Sequence, residues 1–191
     1  MKVNGIILIG GESKRMGQPK ALLRYQGKTL VERSIELLSN CCSNVYISGK
    51  VEQIISCTDF SIPFIADKYT AIGPIGGIVS SFETVGNPER GLLVLATDMP
   101  LMDLNTLSRL ISQRDTQKYA TMYIHKNSGY LEPLCAIYEP SAYLELKKAI
   151  FRQEYSMQRI FDRDQLNLIG IKTPDTLKNI NTPEDLENIQ K

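Results

Sequence analysis

The sequence predicts an α/β protein whose mostly parallel sheet is covered on both faces by helices. Three observations carry this. Short apolar runs alternate with helix-patterned segments from residue 3 to residue 113. Two of those runs, residues 3–9 and 91–97, are apolar nearly throughout, as strands buried on both faces are. The resulting β-α-β-α order is that of parallel strands joined by helical crossovers.

Taken in order, residues 3–9 read as a buried strand. Residues 29–39 place Leu30, Ser34, Leu37 and Leu38 on one helical face, with Glu32, Arg33 and Glu36 elsewhere. Residues 45–48 and 63–66 read as the second and third strands. Residues 76–85 read as a helix entered through a glycine-rich turn, 91–97 as the fourth strand and 104–113 as a helix. The second half changes character. Strand-like runs at 119–124 and 134–138 flank Lys126-Asn127-Ser128-Gly129, a turn signal. Residues 141–152 and 157–162 are helix-patterned, and 166–171 form a late strand. Thr182-Pro183-Glu184-Asp185 is a helix start: Thr182 can cap, Pro183 suits the first position and Asp185 favours the positive end of the dipole. No repeat or linker interrupts the chain, so residues 1–191 read as a single α/β domain with an added strand pair.

Composition narrows the function classes. The 191 residues carry 22 basic and 21 acidic side chains, a formal net charge of +1, and 42% are hydrophobic. A near-neutral chain does not support broad nucleic-acid binding, which needs many phosphate contacts. The four cysteines form no C-x-x-C pair and the one histidine is far from them in sequence, so no zinc pattern is present. The first apolar run is too short for a membrane span. A reduced, cytoplasmic protein without nucleic-acid or membrane partners is the expectation.

The opening stretch carries the chemistry. An apolar run ends at Gly10-Gly11, and Lys14, Arg15, Gly17 and Lys20 follow within nine residues. Bare backbone N–H groups and opposing cations in one loop suit a phosphate chain. The spacing is neither a Walker A loop nor a dinucleotide fingerprint. Thr97-Asp98-Met99-Pro100 puts a carboxylate at the end of an apolar strand, where open α/β sheets bind ligands. One carboxylate suffices for Mg²⁺, which keeps waters and takes substrate phosphates. Asp67 repeats the arrangement on a shorter strand. Gly73-Pro74-Ile75-Gly76-Gly77-Ile78 either admits a ligand beside a helix N-terminus or allows tight helix–sheet packing. His125 is expected to be exposed and takes no role, and Glu132, Asn179 and Asn181 read as turn or cap residues.

Together these blocks resemble a known family. Residues 8–23, Leu-Ile-Gly-Gly-Glu-Ser-Lys-Arg-Met-Gly-Gln-Pro-Lys-Ala-Leu-Leu, resemble the signature L-A-G-G-x-S-x-R-M-G-x-x-K of the molybdenum cofactor nucleotidyltransferases. Residues 73–78 resemble their G-P-L-x-G-I element and Thr97-Asp98-Met99-Pro100 their metal-binding D-M-P element. Residues 131–138 and 179–186 resemble two further blocks. The first block is shared by many nucleotidyltransferases; the full set, in order over nearly the whole chain, is most similar to the molybdenum cofactor guanylyltransferases. The resemblance implies a Rossmann-like three-layer α/β/α nucleotidyltransferase fold. It also implies Mg²⁺-dependent transfer of GMP from GTP to molybdenum-bound molybdopterin, with molybdenum cofactor delivery or acceptor proteins as partners. By motif match, Leu8, Ile9, Gly10, Gly11 and Asp67 would bind the nucleotide. Lys20 and Arg15 would act on the phosphates, Asp98 would ligate the metal, and Asn179 and Asn181 would lie on the pterin side. The family usually has alanine where this chain has Ile9, whose larger side chain would either crowd the base or point into the core. A cytidylyltransferase, another small-molecule nucleotidyltransferase and a non-catalytic nucleotide-binding assembly protein are the alternative readings.

Overall fold

The structure, a computed structural model, describes residues 3–10, 19–50, 52, 61–85 and 90–190. Its first strand, β1 (Asn4–Leu8), is buried at every position. A single 3-10 turn, Lys20–Leu22, leads into a small hairpin of β2 (Arg24–Tyr25) and β3 (Lys28–Thr29). The linking residues Gln26 and Gly27 have φ of 50° and 82°, the left-handed pair that a type I′ hairpin turn requires. Strands of two residues carry no readable period, so the sequence reading passes over this hairpin.

Helix α1 (Leu30–Cys41) begins in a capping box. The Thr29 hydroxyl accepts from Glu32 N–H at 3.2 Å, and the Glu32 carboxylate accepts from Thr29 N–H at 2.6 Å. Then come β4 (Val45–Gly49), β5 (Phe64–Ala66), α2 (Pro74–Val85), β6 (Leu92–Ala96) and α3 (Leu104–Ser112). Helix α2 starts two residues before the sequence-predicted position, with Pro74 at a first-turn site where its missing N–H costs nothing. The second half supplies β7 (Ala120–Ile124), β8 (Leu131–Tyr138), α4 (Ala142–Phe151), β9 (Leu166–Gly170) and α5 (Pro183–Gln190).

Seven strands form one sheet in the order β5-β4-β1-β6-β8-β7-β9. All neighbouring pairs are parallel except the two made by β8, which is antiparallel to β6 and β7. The expected mostly parallel sheet is therefore present, and the expected strand pair (β7 and β8) is built into it. Strand β8 begins at Leu131, three residues before the sequence-predicted start. Its register against β7 jumps from Met122↔Ala136 to Tyr123↔Glu132. Pro133 falls inside this bulge, where no ladder N–H is required.

The alternation of side chains divides the core into two. Ile7 and Ile9 pack with Val31 and Leu38 of α1 and Leu107 and Leu110 of α3. Ile6 and Leu8 pack on the other face with Ile75, Ile78 and Val79 of α2 and Leu146 of α4. The result is helix, sheet, helix, the three-layer arrangement expected. A third cluster joins Leu23, Tyr25, Leu30 and Ile180, with Leu186 and Ile189 of α5 against it, so the C-terminal segment is held on the hairpin.

Residues 157–162 depart from the helix expectation and form turns. Met157 and Phe161 are buried in the core. Between them, Gln158 donates to the Leu131 carbonyl (2.8 Å) and accepts from Leu131 N–H (2.9 Å). Anchoring to the start of β8 replaces helical hydrogen bonding there. Among the described residues, no helix is long and apolar enough to cross a membrane.

Candidate active site

From β1 the chain moves outward to β4 and β5, then returns to β6 on the other side of β1. That reversal is a topological switch point, where open α/β sheets leave a crevice outside the carboxyl ends of their strands. Leu8 pairs with Ala96 at the end of the β1–β6 ladder. Gly10 and Asp98 thus both lie two residues beyond the last pair, at the mouth of the crevice.

A cleft of about 420 Å³ occupies this place, within the several-hundred-Å³ range of small-ligand sites. Leu8, Gly10, Asp67 and Asp98 line it together. Ile9 does not. Its backbone N–H donates to the Ser48 carbonyl at 3.0 Å and its side chain is buried on the α1 face. Of the two placements open to this side chain, the structure adopts the core. Gly11 and Arg15, with Lys14 and Gly17, lie outside the described residues.

Asp98 sits at a junction of three segments. Its carbonyl accepts from Ile180 N–H at 2.9 Å. Lys20 Nζ stands 3.7 Å from Asp98 Oδ2 and donates to the Ile180 carbonyl (2.8 Å) and to Asn181 Oδ1 (3.0 Å). Lys20, Asp98 and Asn181, far apart in sequence, are thereby brought together. Asn179 is exposed two residues before Asn181. Asp98 Oδ1 is buried and has no hydrogen-bond partner among the described residues. Burial pushes the Asp98 carboxyl above its ordinary pKa, and the Lys20 charge opposes that shift. A buried carboxylate oxygen without a partner is costly unless a cation or donor meets it. The described residues contain no cluster of three or more His, Cys, Asp or Glu side chains. A divalent ion on Asp98 would therefore take the rest of its shell from phosphates and water, as Mg²⁺ does. The donor set fits such an ion.

Asp67 closes the other end of the cleft. Ser48 Oγ donates to Asp67 Oδ1 at 2.9 Å, and Asp67 N–H donates to the Gly49 carbonyl at 2.9 Å. Burial raises its pKa, against the Ser48 hydrogen bond and the nearby Lys50 charge. Of the two uses expected for the glycines entering α2, tight packing is the one seen. A Cβ on Gly76 would strike the Tyr69 carbonyl, so that glycine is a packing requirement. A Cβ on Gly77 would come within 3.0 Å of Leu8, 3.1 Å of Ser48 Oγ and 3.2 Å of Asp67 Oδ1, and Gly77 also lines the cleft.

Several lining residues escape the sequence reading. Ser48, Lys50 and Tyr69 face the cleft. A polar residue closing a buried parallel strand is the signal that could have singled out Ser48. His125 and Glu132 were expected to be an exposed residue and a turn residue. Instead, His125 is half-buried and its Nε2 pairs with the buried carboxylate of Glu132. Burial raises the Glu132 pKa, His125 opposes the shift, and the negative charge of Asp98 adds to it.

Comparison with known proteins finds relatives over nearly the whole chain. The profile of the MobA-like NTP transferase domain matches residues 5–168. A protein of Chloroflexus aggregans named "Probable molybdenum cofactor guanylyltransferase" is 30% identical over 100% of this chain and 94% of its own length. The "Molybdenum cofactor biosynthesis bifunctional protein" of Synechocystis is 30% identical over 97% of this chain, which spans only 53% of that longer protein. Among solved structures, molybdopterin-guanine dinucleotide biosynthesis protein A from Archaeoglobus fulgidus superposes with a TM-score of 0.81. It is 26% identical, and the match covers 98% of this chain and 97% of that one.

Proposed function

The chain belongs to the MobA-like NTP transferase family, and from that premise we propose that it transfers GMP from GTP to molybdenum-bound molybdopterin, releasing pyrophosphate. The observation that carries this reading is the switch-point cleft. It joins the glycine exit of β1 to a buried carboxylate oxygen on Asp98 that has no hydrogen-bond partner among the described residues, with the Lys20 ammonium beside it.

In the proposed reaction, a terminal phosphate oxygen of the pterin substrate attacks the α-phosphorus of GTP in line. One P–O bond forms, and the bond from the α-phosphorus to the bridging oxygen breaks, with its electron pair leaving on pyrophosphate. No protein nucleophile is needed, so the work is positioning and charge stabilisation. Gly10 lets the nucleotide approach the β1 backbone, and Asp67 holds it from the β5 side. Lys20, with Arg15, stabilises the charge that develops on the leaving pyrophosphate. Asp98 is the residue that would hold Mg²⁺. When bound, the ion would neutralise phosphate charge. Asn179 and Asn181 border the acceptor side.

The test is a matrix of GTP and CTP against the molybdopterin acceptor, with and without Mg²⁺, read as pyrophosphate release. Turnover is expected only with GTP, acceptor and Mg²⁺ together, and Asp98→Ala is expected to abolish it while the protein stays folded. Turnover with CTP alone would overturn the guanine assignment. GTP binding without any pyrophosphate release would favour a non-catalytic binder. Near-normal activity of Asp98→Ala would remove the metal role.

A further inference from the structure

The amide of Asn181 meets the Lys20 ammonium, and its position on the chain is itself fixed. Asp185 Oδ2 accepts from Asn181 N–H (2.8 Å) and Thr182 N–H (2.9 Å), while Thr182 Oγ1 accepts from Asp185 N–H (3.2 Å). This capping arrangement opens α5 and sets where Asn181 stands. One residue earlier, Ile180 is buried between the hairpin and α5, and its N–H is bonded to the Asp98 carbonyl. The segment 180–182 is thus tied at both ends before it touches Lys20.

An ammonium has three N–H donors on a flexible four-carbon stem, and its direction is set by the acceptors it finds. Here the Ile180 carbonyl and Asn181 Oδ1 take two of them at 2.8 Å and 3.0 Å. We infer that Asn181, through Oδ1, is a positioning residue for Lys20: it fixes the ammonium beside Asp98 in the orientation in which Lys20 meets the nucleotide's phosphates. The inference rests on the nucleotidyltransferase reading above, and it gives Asn181 a part in nucleotide binding in addition to its place on the acceptor side. It also makes the C-terminal segment, which lies beyond the residues matched by the family profile, part of the phosphate end of the site. The two ends of the chain then meet across one side chain. Ordering a long cationic side chain in advance lowers the entropy lost when the ligand binds.

The test is calorimetric binding of GTP with Mg²⁺ in the absence of any pterin, using the full chain. Asn181→Ala is expected to weaken binding about tenfold, the scale of one hydrogen bond to a charged group. Asn181→Asp keeps an oxygen on Lys20 but adds a negative charge beside the phosphate end of the site, so the binding it loses to repulsion is expected to be partly recovered at high ionic strength, whereas the loss in Asn181→Ala is not. In a Lys20→Met background, Asn181→Ala is expected to have no further effect, because the group it positions is gone. Unchanged GTP affinity in Asn181→Ala, or an equal loss in the Lys20→Met background, would overturn the inference while leaving the proposed function standing. So would a defect confined to the KM for the acceptor. Failure of the unsubstituted protein to bind GTP would instead overturn the nucleotide reading, and the inference with it.

Discussion

Leu8 and Ile9 are neighbours in sequence and face opposite layers. Leu8 lines the cleft, and Ile9 is 5% exposed and packed toward α1. The motif comparison makes Ile9 the residue most open to question for base choice. Its placement makes it a core residue instead. Ile9→Ala is therefore expected to cost about 2–5 kcal/mol of stability by leaving a cavity, measured by denaturant unfolding. The GTP-to-CTP preference is expected to stay unchanged in the same protein. A shift in base preference without loss of stability would show that the side chain reaches the nucleotide. Asp98 is the opposite case: its strand-end position already singles it out in the sequence, and the structure adds its burial beside Lys20.

At the scale of elements, Glu83 on α2 ties the cleft wall to a second helix. Its carboxylate accepts from Tyr69 (2.8 Å), Lys147 (3.0 Å), Lys68 (3.1 Å) and Tyr143 (3.2 Å). Tyr69 lies in the cleft-lining loop after β5 and Tyr143 and Lys147 lie on α4, so one carboxylate joins two helices and that loop. Burial works against its ionisation, but the hydrogen bonds from Lys147, Tyr69 and Lys68 outweigh burial and hold its pKa down to about 2. An acid whose folded pKa lies below its unfolded value of 4.5 adds stability above that value. The contribution is lost as pH falls through the folded pKa. Glu83→Gln is thus expected to lower the melting temperature at pH 7, and the gap from the parent is expected to close between about pH 4.5 and 2. A gap independent of pH would mean that packing, not ionisation, carries the effect. Most elements were legible because each has its own period: β1, α1, β6 and α3 lie within a residue or two of their sequence-predicted bounds. Each miss has its own cause. The β2–β3 hairpin is too short to show alternation, β8 runs through a proline at its bulge, and residues 157–162 carry a helical spacing that tertiary anchoring of Gln158 overrides.

For the whole molecule, the seven strands share one sheet, and the C-terminal segment packs on the N-terminal hairpin. Residues 1–191 are therefore expected to unfold as one cooperative domain. Tyrosine fluorescence and far-UV circular dichroism should give coincident denaturant transitions; separated transitions would divide the chain into two units. The sequence by itself determined the α/β class, the apolar strands, the glycine- and cation-rich exit of the first strand and the carboxylates that end later strands. These are local properties, written in periods of two and 3.6 residues and in the chemistry of single loops. Only the tertiary structure decided the strand order, the inward turn of Ile9, the pairing of His125 with Glu132 and the meeting of Lys20 with Asp98 and Asn181. Those depend on which buried faces pack together, and no local period records which partner a distant segment will find.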